Sequence, residues 1–343
     1  MTTEAVQQHS WLLREDFASK KWLRHYSKLV CVATICLIFA GALVTSHEAG
    51  LAVPDWPTTW GENMFLFPPS QWIGNIFYEH GHRLIASSVG MLTLLLAFWL
   101  WRAESRRWVK ILGLLALAAV CVQGILGGIT VLFLLPAAVS VSHAVLAQTF
   151  FVLTILIAYS QSCELEERLH TRPFHQYNSR FFKLSLALAA LVYMQLVVGA
   201  SMRHTGSGLA IPDFPTMGGE LLPTFSAAAL AVINDLRFEL GLAKVEFWQV
   251  LIHFAHRVGG VVIALFAAIM FFKSLKDFGG HSGIQGMSHA ILYLVIFQFL
   301  FGVLTVLTAK SPYVASFHVM LGAVLLGCAV LLALRAAPFG RSR

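Results

Sequence analysis

The chain has 343 residues, of which 57% are hydrophobic and only 12% are charged, and its mean hydropathy is +0.72. Because soluble domains carry about 25% charged residues, this composition excludes an ordinary soluble protein and indicates an integral membrane protein. The formal net charge of +7 does not indicate nucleic-acid binding, since the basic residues collect on one side of the predicted membrane spans.

Eight apolar stretches are long enough to cross a membrane, for which a helix needs about 20 residues. They lie at residues 27–46, 82–101, 111–134, 139–160, 183–202, 250–272, 288–308 and 314–334. A polar stretch from Cys163 to Lys183 divides them into two groups of four. We therefore predict an all-α integral membrane protein with two tandem, pseudo-symmetric four-helix bundles, at residues 1–162 and 183–343, joined by a cytoplasmic linker at residues 163–182.

The distribution of Lys and Arg predicts the orientation of the spans. Most of the 24 Lys and Arg residues fall near the termini, in the linker and in the short loops after the second span of each half. Apart from Arg83 and Arg257 at helix ends, the opposite side holds Arg203, Arg237, Lys244 and Lys310. The excess of positive charge marks the cytoplasmic side, so both termini are predicted in the cytoplasm and the long loops, at about 47–81 and 203–249, outside. Within the second loop, residues 227–246 are predicted as an amphipathic helix on the membrane surface, with a solvated loop as the alternative.

The two groups of spans are copies of one unit. The segment Leu51-Ala-Val-Pro-Asp-Trp-Pro57 recurs 158 residues later as Leu209-Ala-Ile-Pro-Asp-Phe-Pro215. Four histidines repeat in the same way, with offsets of 174 and 175 residues, as His82 with His256 and His143 with His318. Because each half has an even number of spans, the halves share one orientation and form a parallel repeat about an axis along the membrane normal.

The repeated histidines predict two metal-binding sites. Histidine within a membrane span is costly and marks a functional site. Both histidines of a pair lie near the outer starts of alternate helices, within roughly 10 Å of the outer surface at 1.5 Å per residue. This placement suits two axial ligands on opposite faces of a haem. Interfacial histidines kept only by the duplication are the alternative, and for zinc or copper the sequence lacks further ligands nearby.

Three neighbouring residues extend the predicted sites. Arg83 and Arg257 directly follow a ligand histidine and are predicted to bind haem propionates, with snorkelling to lipid headgroups as the alternative. Glu79 precedes His82 by three residues and shares its helix face, whereas the equivalent position in the second half is His253. This asymmetry predicts chemistry at one site and electron transfer at the other. A solvated position at a helix start is the alternative for Glu79, and no role is assigned to His47, His80 or His204.

With these features the chain resembles the haem A synthases of bacteria and mitochondria, from about residue 27 to residue 335. The resemblance rests on the duplicated eight-span plan and on four motifs at equivalent places. They are Glu79-x-x-His82-Arg83, His143, His253-x-x-His256-Arg257 and His318, together with the Gly-Ser-Gly-Leu-Ala-Ile-Pro-Asp-Phe-Pro segment at 206–215.

The resemblance implies an enzyme of the bacterial inner membrane that oxidises the C8 methyl group of haem O to a formyl group, giving haem A for terminal oxidases. It implies haem b as the cofactor, bound by His256 and His318 with Arg257. It also implies haem O as the substrate, flanked by His82 and His143 with Arg83, and Glu79 as the catalytic residue. Oxygen would come from O2 or water, electrons from a quinol or a small redox protein, and substrate from a haem O synthase. A homo-oligomer is left open.

The chain departs from some relatives in its cysteines. Some bacterial members carry a cysteine pair in one of the outer loops, and this chain has none there, so no role of such a pair can be transferred. Two other functions stay open on the residues alone. They are a di-haem cytochrome that relays electrons from a quinol and a haem transporter or chaperone, but a pure relay needs no carboxylate at only one site.

Overall fold

Ten α-helices and two short 3₁₀ turns make up the computed structural model, which describes residues 21–170, 178–280 and 282–338. The helices are α1 Lys21–Ser46, α2 Asn75–Ala103, α3 Arg107–Leu132, α4 Ala137–Ser160, α5 Cys163–His170, α6 Ser179–His204, α7 Ala227–Glu239, α8 Phe247–Asp277, α9 Ser282–Leu307 and α10 Pro312–Ala336. All except α5 and α7 are long and apolar enough to cross a membrane. The predicted number of spans and the all-α class are confirmed.

Helices α2 and α8 begin earlier than the apolar pattern predicts. Helix α2 starts at Asn75 rather than near residue 82, and α8 starts at Phe247 rather than near residue 250. The added turns of α2 hold the polar residues Glu79 and His80, both of which are buried. Protein groups rather than lipid surround these side chains, so hydropathy alone does not detect this part of α2.

Each half closes into a bundle of four spans. In the first half α1, α2, α3 and α4 contact one another in a ring, and α6, α8, α9 and α10 do so in the second. Separate apolar cores fill the two bundles, around Leu96 and Phe150 in the first and around Leu188 and Ile291 in the second. The predicted linker contains α5 and the start of α6, while its residues 171–177 lie outside the described part of the chain.

The first and fourth helices of each half form the contact between the bundles. Helix α1 packs against α10, and α4 packs against both α6 and α10. Their shared core includes Ile38, Phe151, Ile155 and Ala323. The close approach depends on Gly327 of α10, where an added Cβ would lie only 3.1 Å from the Phe151 ring.

Two long segments connect α1 to α2 and α6 to α8 on the same side of the molecule, here called the loop side. The second contains α7, whose Ser226 side chain caps the helix by accepting a hydrogen bond from the Ala229 N–H. Ile233 and Arg237 of α7 are buried against the rest of this loop. The helical alternative predicted for this stretch is therefore correct for residues 227–239, and its contact with the membrane surface stays a prediction.

Candidate functional site

All four predicted ligand histidines point from one helix onto a glycine of a neighbouring helix in the same half. The pairs are His82 with Gly41, His143 with Gly127, His256 with Gly199 and His318 with Gly302, and a Cβ added to the glycine would lie 3.1, 3.4, 3.1 and 3.1 Å from the respective ring. Core packing tolerates little added volume, so any larger residue at these positions would displace the imidazole. The glycines repeat at the offsets of the duplication, 158 and 175 residues, and so belong to the repeated site.

The two histidine rings of the second half lie close together. The ring centroids of His256 and His318 lie 6.3 Å apart, with the ring planes at 70° to each other. Two metal–nitrogen bonds of about 2 Å each span roughly 4 Å between ligating nitrogens, which fits this separation. The buried Nδ1 of His318 has no hydrogen-bond partner. These two observations, with the glycine beside each ring, fit a haem ligated on both faces.

The histidine pair of the first half shares two of these features. His82 and His143 lie near enough for their charges to interact, and the buried Nδ1 of His143 has no hydrogen-bond partner. A buried polar atom without a partner is rare in proteins and needs an explanation. Ligation of a metal ion supplies one for both His143 and His318.

Glutamine side chains support three of the four histidines. Gln123 Nε2 donates to the carbonyl oxygen of His143 at 2.9 Å, and Gln298 Nε2 donates to that of His318 at 3.0 Å. The two glutamines are 175 residues apart, so they belong to the repeated unit. They fix the backbone of the ligand helix against its neighbour.

The third glutamine occurs in the second half only and lies closer to its imidazole than Gln298, whose Nε2 is 3.4 Å from Nε2 of His318. Gln195 Nε2 donates to the His256 carbonyl at 2.7 Å and lies 3.1 Å from its Nδ1. The amide fits because residue 259 is glycine, and an added Cβ there would overlap the amide oxygen. In the first half the equivalent residues are Leu37 and Ile85. Polar groups beside a ligand histidine orient its ring. The orientation of the His256 ring is therefore fixed by a side chain that the His82 ring lacks.

Glu79 and Arg83 join the first loop to α2. Arg83 Nε donates to the Glu79 carboxylate at 3.0 Å, and both side chains are buried. Arg83 Nη1 donates to the carbonyls of Asp55 and Thr58, at 2.8 and 3.0 Å, and Nη2 donates to that of Val53 at 2.9 Å. Four of the five guanidinium N–H groups are thus used within the protein.

Arg257 repeats this arrangement in the second loop. Its Nη1 donates to the Thr216 carbonyl at 3.1 Å, and its Nη2 donates to those of Ile211 and Asp213 at 3.0 and 2.8 Å. Its Nε lies 3.3 Å from Nε2 of His253, whose Nδ1 accepts a hydrogen bond from the Ile211 N–H. Both predicted propionate ligands therefore anchor their loops in the structure, and their role toward propionates stays a prediction.

The Pro-Asp-aromatic-Pro motif forms a tight turn in each loop. The Asp55 carboxylate accepts from the N–H groups of Trp60 and Gly61, both at 2.8 Å, and the Asp213 carboxylate accepts from those of Gly218 and Gly219, at 2.9 and 3.0 Å. Burial alone would raise the pKa of each carboxyl, but these hydrogen bonds outweigh it and hold both pKa values below the usual value. The aspartates are therefore turn-forming residues.

The aromatic residue of each motif covers the third span of its half. A Cβ added to Gly128 of α3 would lie 2.6 Å from the Trp56 indole. In the second half the smaller Phe214 contacts Phe299 of α9, with ring centroids 6.2 Å apart, and the equivalent of Gly128 is Val303. The larger Trp56 ring thus pairs with Gly128 in the first half, and the smaller Phe214 ring occurs with Val303 in the second.

The histidines without a predicted role have other surroundings. His80 is fully buried, with its Nδ1 3.1 Å from Thr59 Oγ1 and its ring against Trp72, and so packs the first loop. The His47 ring stacks on Tyr78 with centroids 4.0 Å apart. His204, the last residue of α6, lies within electrostatic range of His143.

Within the described ranges no group of three or more His, Cys, Asp or Glu side chains is placed to hold a metal ion. Two histidines facing each other suit a metal whose remaining positions are filled by a planar ring. The fold and the two sites thus define a class, an integral membrane protein of two repeated four-helix bundles, each with a pair of buried histidines.

Residues 70–330 match the COX15-CtaA family, described as cytochrome oxidase assembly protein. The chain belongs to this family. It is also similar to curated proteins named heme A synthase. Those of Halalkalibacterium halodurans and Alkalihalophilus pseudofirmus are each 26% identical, over 88% and 89% of this chain and 93% and 94% of their own lengths. That of Rhizorhabdus wittichii is 23% identical, over 89% of this chain and 91% of its own length.

Proposed function

We propose that this protein is an oxidoreductase that converts haem O into haem A for terminal oxidases. Similarity over nearly the whole chain to proteins named heme A synthase supports the activity. The single observation that carries the proposal is the pair of matched histidine sites, of which only one has a buried carboxylate, Glu79, one turn before a ligand histidine.

The first half is the proposed substrate site. His82 and His143 would hold haem O, and Glu79 would act as the catalytic group that accepts or delivers protons during oxidation of its methyl group. Because Glu79 is paired with Arg83 and buried, its position is fixed relative to the helix that carries His82. A fixed general acid or base contributes about 10²- to 10⁴-fold to a rate.

Two successive hydroxylations of the C8 methyl group give a hydroxymethyl group and then a geminal diol, which loses water to leave the formyl group. When O2 is the oxygen donor, each hydroxylation consumes two electrons from an external reductant, a quinol or a small redox protein. Water as the oxygen source would instead require an electron acceptor.

The second half is the proposed cofactor site, where His256 and His318 hold haem b. When bound, this haem supplies electron transfer between the reductant and the substrate site. Gln195 and Gln298 keep the two histidines in position. The absence of a carboxylate at the position of Glu79, which His253 occupies, suits a site that carries electrons without moving protons to a substrate.

The proposed setting is the bacterial inner membrane with the loop side outward and both termini in the cytoplasm. The excess of Lys and Arg on the side opposite the loops supports this orientation. Both histidine pairs then lie near the outer face, and a haem O synthase in the same membrane supplies the substrate.

Chromatography with mass analysis of haems tests the proposal, using aerated cells that make this protein together with a haem O synthase. We expect haem A or its hydroxylated intermediate, and its absence from a His82→Ala control of equal abundance. Only haems B and O in cells containing folded wild-type protein would refute the synthase function and favour the electron-relay or transport function.

A further inference from the structure

We propose that Arg203 binds a carboxylate group of the tetrapyrrole held by His256 and His318. This inference rests on the proposed function, in which a haem occupies that site. It assigns to one arginine at the junction of the two halves the role of retaining the cofactor and setting its reduction potential.

The position of Arg203 places it at the edge of the second site. It follows Gly199 by one helical turn on α6 and therefore lies on the same face, and Gly199 contacts the His256 ring. Arg203 is also within electrostatic range of His318. A group ligated between the two histidines would thus have the guanidinium beside it, toward the loop side.

Contacts of Arg203 with α1 hold it in this place. Its Nη2 donates to the Ala42 carbonyl and to Ser46 Oγ, both at 2.7 Å. Ser46 Oγ also accepts a hydrogen bond from Ser316 Oγ at 2.9 Å, two residues before His318. Hydrogen bonds thus link Arg203 of α6 through Ser46 of α1 to Ser316 of α10, the helix that carries the second ligand.

The charge of Arg203 has no counter-charge in the part of the chain that the structure describes. None of the ion pairs found there includes it, and its hydrogen bonds go to a carbonyl and a hydroxyl. Its Nε and Nη1 groups, with three N–H donors, make none of the hydrogen bonds found. A partly buried cation is costly without a partner, and arginine binds carboxylates through two parallel hydrogen bonds. Haem carries two carboxylates.

The duplication offers a comparison within the same chain. The equivalent of Arg203 in the first half is Thr45, whose hydroxyl is bonded to the Gly41 carbonyl of its own helix. A second cation also occurs in the second half only. Lys310 lies against Gly208, where the first half has Leu135 against Gly50. Lys and Arg are scarce on the loop side, and both of these cations belong to the second half. This difference suits a cofactor that is retained and a substrate that must leave as product.

Binding of haem b and of its dimethyl ester, in which both carboxylates are blocked, tests the proposal directly. Full-length protein in detergent, with His82→Ala to disable the first site, is titrated with each compound and followed by the low-spin absorbance. We expect wild-type Arg203 to favour haem b over the ester, and Arg203→Gln to lose about 10- to 100-fold of that preference, the range of one charge-assisted hydrogen bond.

Two controls separate carboxylate binding from a purely structural role. Ser46→Ala removes one of the two hydrogen bonds from Arg203 to α1 but keeps the guanidinium, and Lys244→Gln removes a positive charge elsewhere on the loop side. Both are expected to keep the preference for haem b. Loss of the preference in Ser46→Ala as in Arg203→Gln would assign Arg203 to helix contact alone and overturn the proposal.

Further outcomes separate a failure of this proposal from a failure of the ligand assignment. If the protein with native Arg203 binds haem b and its ester equally, the proposal is wrong whether or not the variant folds. If His256→Ala leaves low-spin haem binding unchanged, the ligand assignment of the proposed function has failed instead. In purified holoprotein, Arg203→Gln should lower the midpoint potential of the haem, because removal of a nearby cation favours the oxidised form, and an unchanged potential would contradict the inference.

Discussion

Replacement of Gln195 by leucine, the residue at the equivalent position of the first half, should weaken haem retention by the second site. Gln195 is the side chain that contacts both the imidazole Nδ1 and the carbonyl of His256, at 3.1 and 2.7 Å. Loss of such a supporting group typically lowers metal affinity about 10- to 100-fold. That range corresponds to about 1.4–2.8 kcal/mol at 25 °C.

A substitution at Gly259 should disrupt the same contact between Gln195 and His256. Gly259→Ala leaves the glutamine in place but puts a methyl group where its amide lies, so it should reproduce the effect of Gln195→Leu. Gln123→Leu serves as the matched control, because Gln123 supports only His143 in the other half. The double variant of Gln195 and Gly259 should be little worse than either single one, since both act on one contact.

The assay is the haem-to-protein ratio of purified protein during dilution, read from the reduced low-spin band. We expect faster haem loss from both second-half variants than from wild type, and wild-type retention of that band in Gln123→Leu. Equal retention by wild type and Gln195→Leu, with the protein monodisperse, would refute the argument that this amide orients the ligand.

Two further predictions concern the first half. Glu79→Gln should reduce haem A formation by about 100-fold or more with haem content unchanged, as measured by chromatography of extracted haems, and undiminished haem A would remove Glu79 from the chemistry. Gly128→Val should destabilise the protein by about 1–3 kcal/mol because its side chain meets the Trp56 ring. Trp56→Phe in the same chain should restore thermal stability, since the second half pairs phenylalanine with valine, and a double variant as unstable as Gly128→Val would contradict this coupling.

Much of the architecture follows from the sequence because lipid imposes a simple rule. A span must be a long apolar helix, so hydropathy predicts all eight. The early start of α2 escapes it because the polar side chains of Glu79 and His80 are buried among protein groups. Those contacts come from loops that are distant in sequence, and no local pattern encodes them.

The site residues that can be predicted from the sequence are those that occur at equivalent positions in both halves. The offset of 158 residues relates Gly41 to Gly199, and the offset of 175 relates Gln123 to Gln298, so the repeat that reveals the histidines also contains their partners. The loop contacts of Arg83 are different. A basic residue after a ligand histidine suggests a propionate partner, but its donors go to carbonyls that only the folded loop brings together.

The residues that break the repeat explain how one scaffold can hold two sites with unlike tasks. Around the second histidine pair the chain has a glutamine on the imidazole, made possible by Gly259, and a cation at Arg203. Around the first it has apolar Leu37 and Ile85 with the buried carboxylate of Glu79. A cation without a counter-charge and an oriented ligand favour retention of an anionic cofactor. In the first half Arg83 is already paired with Glu79, so that site should release a haem more readily. In the proposed reaction the substrate site must exchange its haem at every turnover and the cofactor site must not, and the differences between the halves run in that direction.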